Sequence, residues 1–245
     1  MWDRPDVLTR LADLLVTVAV LLAIYGAVHF AVHLPLFPLR EVRVASALTH
    51  VTGEDLGAMM QREVKGNFFT LDLAATRAAF EKLPWVRKVE VRRHWPARLD
   101  VTVEEHAPLA RWGNRALVNT HGEVFEAAYD GDLPVFVGPT GSAKEIAIQY
   151  EYFRRSLAAI GKTPVQVLLS PRRAWEVRLD GGPTLELGRE QVEARLARFV
   201  AAYSRTLGRL ERRIDYVDLR YANGFAVRIP ESRFEKTEPK RRRSA

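Results

Sequence analysis

The sequence predicts an α+β protein held to a membrane by a single N-terminal helix, and three features predict it. Residues 14–34 contain no Asp, Glu, Lys or Arg. A helix rising about 1.5 Å per residue crosses the roughly 30 Å hydrocarbon core of a bilayer over such a stretch. Residues 38–106 then read as strand, helix, helix, strand, strand. Beyond them, alternating strands interleave with two helices and close in a hairpin.

The apolar run comes first. A secretory signal has an apolar region of only about 7–15 residues, ending at a small-x-small cleavage site. Here the run is longer and continues into His33-Leu34-Pro35-Leu36-Phe37, which offers no such site. Every face is apolar and the flanks are polar or proline-rich, which fits a transmembrane helix at 14–34 better than a buried core helix. Direction is another matter. Arg4 and Arg10 precede the span, Arg40 and Arg43 follow it, and this balance leaves both orientations open. His29 and His33 share a face at i, i+4 spacing, yet a metal site wants three or four ligands and no Cys or intramembrane acid stands near them.

Val42 and Val44 alternate within Arg40–Ala47, as in a half-buried strand. Thr52 with Asp55 has the form of a capping box, opening a helix with Leu56, Met59, Met60 and Val64 on one face and Gly66 beyond it. Asp72 is placed to cap a second helix that carries Leu73, Ala79, Phe80 and Leu83 and stops at Pro84. Val89 and Val91 alternate with Glu90 and Arg92. After a turn at Trp95-Pro96 the pattern repeats in Leu99, Val101 and Val103. This order suffices for a three-stranded sheet covered by two helices.

A second unit, residues 107–230, opens with a hairpin joining Leu117 and Val118 to Val124 and Phe125 through His121-Gly122. Ile146, Tyr150, Phe153, Leu157 and Ile160 make the apolar stripe of a helix over Glu145–Ile160, closed by Gly161. Strand-like runs follow at Val165–Leu169, Ala174–Leu179 and Thr184–Leu187, the last two joined by Asp180-Gly181-Gly182. A long helix over Arg189–Leu207 buries Val192, Leu196, Phe199, Val200, Tyr203 and Leu207, with Gly208 at the C-cap position. Ile214–Tyr221 and Phe225–Ile229 form the closing hairpin through Asn223-Gly224, the composition of a type I′ turn. Strict alternation sends Val217, Leu219 and Tyr221 to one face, and Tyr216, Asp218 and Arg220 to the other. As a terminal strand, Phe225–Ile229 either offers its edge to an added strand or simply closes the sheet, protected by Arg228 and Pro230. The pattern alone leaves both readings open. Residues 231–245, where Lys240, Arg241, Arg242 and Arg243 follow Pro239, read as a polar, basic and disordered tail.

Composition narrows function by exclusion. The chain has 245 residues, a formal net charge of +7 and no cysteine, which rules out disulfides and thiolate metal sites. The positive charge is dispersed and lacks an aromatic-basic stacking surface, which argues against a nucleic-acid binder. Walker loops, dinucleotide glycine patterns and Gly-x-Ser-x-Gly elbows are absent. No serine has lysine three positions later, so the signature of membrane-anchored transpeptidases is missing too. Glu104 and Glu105 are adjacent on a strand and point to opposite faces, which disfavours a shared acid–base site. No catalytic, metal or cofactor residue is assigned, and no small-molecule substrate is expected.

Two regions carry a resemblance. The order of elements in 38–106 looks like a POTRA domain, a module common in envelope proteins that handle other polypeptides. Leu83-Pro84-Trp85-Val86-Arg87-Lys88-Val89-Glu90-Val91-Arg92-Arg93-His94-Trp95-Pro96, with Glu104, Glu105, Pro108 and Ala110, is similar to the POTRA region of the FtsQ/DivIB family of bacterial cell-division proteins. Arg172-Arg173-Ala174-Trp175, Leu187-Gly188-Arg189, Leu196-Ala197-Arg198-Phe199 and Tyr216-Val217-Asp218-Leu219-Arg220-Tyr221 with Asn223-Gly224 resemble the β domain of the same family. The resemblance implies a non-enzymatic divisome scaffold of the cell inner membrane, with residues 1–13 cytoplasmic, the bulk periplasmic, and enrichment at the septum.

The implied partners are FtsB and FtsL, bound by strand addition to the last strand and governing septal peptidoglycan synthesis. Other divisome proteins are implied for the POTRA domain. Carried onto this sequence, the partner site is Phe225, Ala226, Val227, Arg228 and Ile229. Arg220, Tyr221, Asn223 and Gly224 stand at its start, and Arg172 or Arg173 is a charged contact on the neighbouring strand. The POTRA likeness alone also fits an envelope protein of polypeptide transport or outer-membrane assembly. Such systems usually carry several POTRA units or a barrel-length series of strands.

Overall fold

The computed structural model describes residues 5–34, 38–39, 41–44, 46, 48–63, 66–209 and 214–230. The chain divides into two compact units, Met1–His106 and Ala107–Ala245. Val64, the ends Arg40 and Ala47 of the first expected strand, and the tail 231–245 lie outside the described residues.

In the first unit, α1 (Pro5–His33) contains one stretch, Thr9–His33, long and apolar enough to cross a bilayer, and none of its most apolar window is buried in protein. The helix starts before the charge-free run and takes in Arg10 and Asp13. His33 Nδ1 donates to the His29 carbonyl at 2.7 Å, and the two rings stack at 4.1 Å.

The remaining elements are β1 (Glu41–Val44), α2 (Gly53–Glu63), α3 (Leu73–Phe80), β2 (Val86–His94) and β3 (Arg98–Glu105). The sheet order is β1-β3-β2, with β1 parallel and β2 antiparallel to β3. The capping box forms as the sequence predicts: the Asp55 N–H donates to Thr52 Oγ1 at 3.2 Å, and the Thr52 N–H donates to Asp55 Oδ2 at 3.2 Å. Asp72 Oδ1 accepts from the N–H groups of Ala74 and Ala75 and opens α3. Leu56, Phe80, Val89, Leu99 and Val101 are buried between the helices and the sheet.

Glu104 and Glu105 diverge as the pleat requires. Glu104 pairs with Arg87 at 2.7 Å near the surface. Glu105 turns to the loop before α2 and accepts from the backbone N–H groups of Thr49 (3.0 Å), His50 (3.1 Å) and Val51 (2.8 Å). Burial pushes the Glu105 carboxyl up, but the three backbone donors together with the His50 side chain more than offset it and hold its pKa below the ordinary value.

Among the described residues, the second unit is one sheet of nine strands with two α-helices against it. Its elements are β4 (Pro108–Trp112), β5 (Ala116–Asn119), β6 (Val124–Phe125), β7 (Val135–Val137), α4 (Ala143–Ala158), β8 (Pro164–Leu169), β9 (Trp175–Leu179), β10 (Thr184–Gly188), α5 (Val192–Tyr203), β11 (Tyr216–Asp218) and β12 (Ala226–Arg228). The order across the sheet is β12-β11-β10-β9-β8-β7-β4-β5-β6. β7 runs parallel to both β4 and β8, and α4 is the crossover between β7 and β8. Ile146, Phe153 and Leu157 of α4 and Leu196 and Phe199 of α5 share one buried core with Val167, Val177, Leu185 and Val217 of the sheet.

Three expectations fail locally, each for a physical reason. α5 is shorter than Arg189–Leu207. It begins after Gln191, which is left-handed at φ 53°, and Gly208 sits inside a 3-10 turn, Leu207–Arg209, with no left-handed cap. The closing turn is not type I′, because that turn needs positive φ at both central residues and neither Asn223 nor Gly224 has it. The pairing Tyr216↔Arg228, Val217↔Val227 and Asp218↔Ala226 instead leaves Leu219–Phe225 as a longer loop. Finally, Tyr221 is 58% exposed and not on the core side. β11 stops at Asp218, whose Oδ1 accepts the Arg220 N–H at 3.0 Å. That two-residue side-chain turn ends the alternation before Tyr221.

Candidate functional site

β12 ends the nine-stranded sheet. It pairs with β11 on one side, and no described strand covers the other. On such an edge every second N–H and C=O points away from the sheet, open to another strand. The inner face of β12 is fastened. Phe225 and Val227 pack on the core, with the Phe225 ring edge-on to Phe199 at 6.1 Å. Ala226 and Arg228 face outward, and the Arg228 guanidinium lies 5.4 Å above the ring of Tyr216, its cross-strand partner. Ile229 follows, 38% exposed.

Arg220 stands where the hairpin loop leaves β11. Its Nε and Nη2 donate to the two carboxylate oxygens of Asp218 at 2.9 and 2.7 Å, and its Nη1 lies 2.6 Å from Glu186 Oε1. The bond from Arg220 holds the nearly buried Asp218 carboxyl below its ordinary pKa. Burial raises Glu186 instead, and attraction to Arg220 offsets that only in part. Arg220 is thereby fixed in place with about half of its side chain, 51%, exposed. Gly188, at φ 72°, makes room for this: a Cβ there would meet Arg195 Nη1 at 2.8 Å and Arg220 Cγ at 3.2 Å.

Arg172 and Arg173 are not on the strand next to β12. Both occupy the turn between β8 and β9, farther across the sheet. Arg173 adopts a left-handed backbone at φ 65°, and its guanidinium reaches Glu145 of α4 at 2.5 Å. Arg172 lines a cleft with Gly188, Arg189, Arg195 and Arg220 and one acid, Glu190, which is paired with Arg189 at 3.2 Å. Among the described residues Arg172 has no ion-pair partner. The turn thus separates two arginines that are equivalent in the sequence, and only Arg172 shares a surface with Arg220.

One contributor escaped the sequence reading. Arg198, on the polar side of α5, donates to the carbonyl oxygens of Ala222 and Tyr221, the latter at 3.3 Å. It pins the hairpin loop, whose residues Tyr221, Asn223, Gly224 and Phe225 line a shallow concavity. Helical periodicity marks Arg198 only as a solvent-facing residue. Nothing in the spacing says that it reaches a loop more than twenty residues away.

The site is an open strand edge with a cationic cleft near its start. Among the described residues, no group of three His, Cys, Asp or Glu side chains is placed to hold a metal. Such an edge receives an extended peptide through main-chain hydrogen bonds, and the cations favour one bearing an acid.

Residues 37–106 match the model for the POTRA domain, FtsQ-type, and residues 110–220 match that for cell division protein FtsQ/DivIB, C-terminal. A cell division protein FtsQ from Nitrosospira multiformis is 50% identical over 233 residues, covering 93% of this chain and 99% of the relative. The protein of that name from Burkholderia pseudomallei is 42% identical over 241 residues, 96% of each chain. That from Neisseria gonorrhoeae is 38% identical over 232 residues, 93% of this chain and 95% of its own.

Proposed function

This chain belongs to the FtsQ/DivIB family of bacterial cell-division proteins, and from that premise we propose that it is a non-enzymatic divisome scaffold that binds FtsB, and FtsL through it, by accepting an FtsB strand on β12. In this reading residues 38–106 are the POTRA domain and 107–230 the partner-binding domain. α1 crosses the inner membrane with the N-terminus cytoplasmic and residues 38–230 periplasmic. Anchoring confines β12 to the membrane surface, where a similarly anchored partner is locally concentrated.

The observation that carries the proposal is the open edge of β12 at the end of the sheet, beside a cleft that holds Arg172 and Arg220. An acidic residue of the partner completes the charge balance there. Arg172→Ala is expected to weaken FtsB binding about 10-fold, which corresponds to about 1.4 kcal/mol. Arg173→Ala, whose guanidinium is already committed to Glu145, should change it less than about 3-fold. Surface plasmon resonance with the extramembrane segment of FtsB separates the two. Equal effects would reject the assignment of Arg172.

The scaffold role is tested in cells. A fluorescent fusion of the full chain should concentrate at the septum of dividing cells. A uniform membrane signal counts against the proposal.

A further inference from the structure

The exit of the membrane helix is held by the first unit itself. Asn67, 8% exposed, donates from Nδ2 to the carbonyl oxygens of Val32 (2.6 Å) and Leu34 (3.1 Å). Its Oδ1 accepts from the N–H groups of Phe69 and Thr70 and from the Thr70 hydroxyl, each at 3.0 Å. Carbonyls at the end of a helix lack partners within it, so the side chain satisfies groups that would otherwise need water. Because Thr9–His33 is the apolar span, those carbonyls belong at the bilayer–water boundary. The loop 66–71 therefore sits at headgroup depth.

That loop brings a second element with it. Arg93, near the tip of the β2–β3 hairpin, donates to the carbonyl oxygens of Leu71 and Phe69, the latter at 3.5 Å. Two residues on, Trp95 is 77% exposed, the most exposed large hydrophobic side chain among the described residues. Phe69 is 44% exposed. The Phe69 phenyl ring and the Trp95 indole thus belong to two segments that Arg93 links and that Asn67 ties to the end of the span. This is the composition of a membrane-interface belt: the aromatic rings favour the headgroup zone, and the cations are drawn to anionic lipid.

We propose that Phe69 and Trp95 dock into the headgroup layer of the membrane that α1 crosses, with Arg93 facing anionic lipid, so that the part of the first unit beyond α1 lies on the bilayer instead of hanging from it. A lipid surface is favoured over a protein partner because hydrogen bonds tie this patch to the last turn of the span. The proposal rests on α1 spanning a membrane and is independent of the assignment of FtsB.

The chain contains no cysteine, so single cysteines introduced for spin labels report cleanly. The full chain carrying Leu22→Cys, Lys88→Cys or His94→Cys is placed in nanodiscs of phosphatidylcholine and phosphatidylglycerol. The accessibility of each label to an aqueous nickel chelate is then measured. Lys88 is an exposed reference on β2, roughly 20 Å from the hairpin tip at about 3.3 Å per residue.

The Leu22 label should be deep. The His94 label should be at least about 3-fold less accessible to nickel than the Lys88 label, and that difference should vanish in a Phe69→Ser, Trp95→Ser background. Equal accessibility at His94 and Lys88 overturns the proposal and leaves the patch to a protein partner. Protection of His94 that is unchanged in phosphatidylcholine alone overturns the assignment to anionic lipid. A Leu22 label open to nickel overturns the membrane span itself, a failure distinguishable from the others.

Discussion

Glu105→Ala is expected to destabilise the first unit by about 3 kcal/mol. One carboxylate accepts the N–H groups of Thr49, His50 and Val51. Each donor left without a partner costs on the order of 1 kcal/mol where water has partial access. For a domain of this size the loss lowers the melting temperature by more than about 10 °C, as read by circular dichroism. Glu104→Ala, one residue earlier, removes only an ion pair near the surface with Arg87 and should cost less than about 1 kcal/mol.

Acid supplies a second check. Glu105 is held below its ordinary pKa of about 4.3 when folded. Its contribution is therefore fully present above that pH and is lost as the pH falls through the folded-state value. The Ala variant should lack this part of the acid destabilisation. Melting temperatures within about 2 °C of the parent would reject the clamp.

The contrast between these neighbours shows what the sequence could and could not disclose. Period-two alternation put Glu104 and Glu105 on opposite faces, and the structure agrees. That Glu105 gathers a loop more than fifty residues upstream is a long-range fact with no local signature. The capping residues Thr52, Asp55 and Asp72 were legible because capping is local chemistry. The stripes of α4 and α5 were legible because burial imposes a period.

β4 and β7 were not legible. β4 opens with a proline, β7 is three residues long, and β7 gains its identity from parallel neighbours distant in sequence. The same limit applies at the site. The alternation of Phe225 and Val227 located the terminal strand, but Asp218 capturing the Arg220 backbone ended β11 early and turned Tyr221 outward. The left-handed backbone at Arg173 separated it from Arg172, and no pattern of residue types encodes that separation.

A proline in β12 is expected to lower the affinity for FtsB at least 100-fold, about 2.7 kcal/mol. Successive N–H groups along a strand point to opposite sides. Of Ala226 and Val227, therefore, one donates toward β11 and the other toward the open edge. Proline at the outward position removes a donor the added strand needs and puts its ring in the way. It spares the pairing with β11, since proline is tolerated on the solvent side of an edge strand. Proline at the inward position disturbs the β11–β12 pair instead.

The edge is thus tested by two single variants, Ala226→Pro and Val227→Pro, assayed for capture of FtsB together with circular dichroism. The expected result is that one of them keeps the parent spectrum and loses capture. Capture within about 3-fold of the parent by both variants, or loss of capture only where the spectrum collapses, would contradict strand addition at β12.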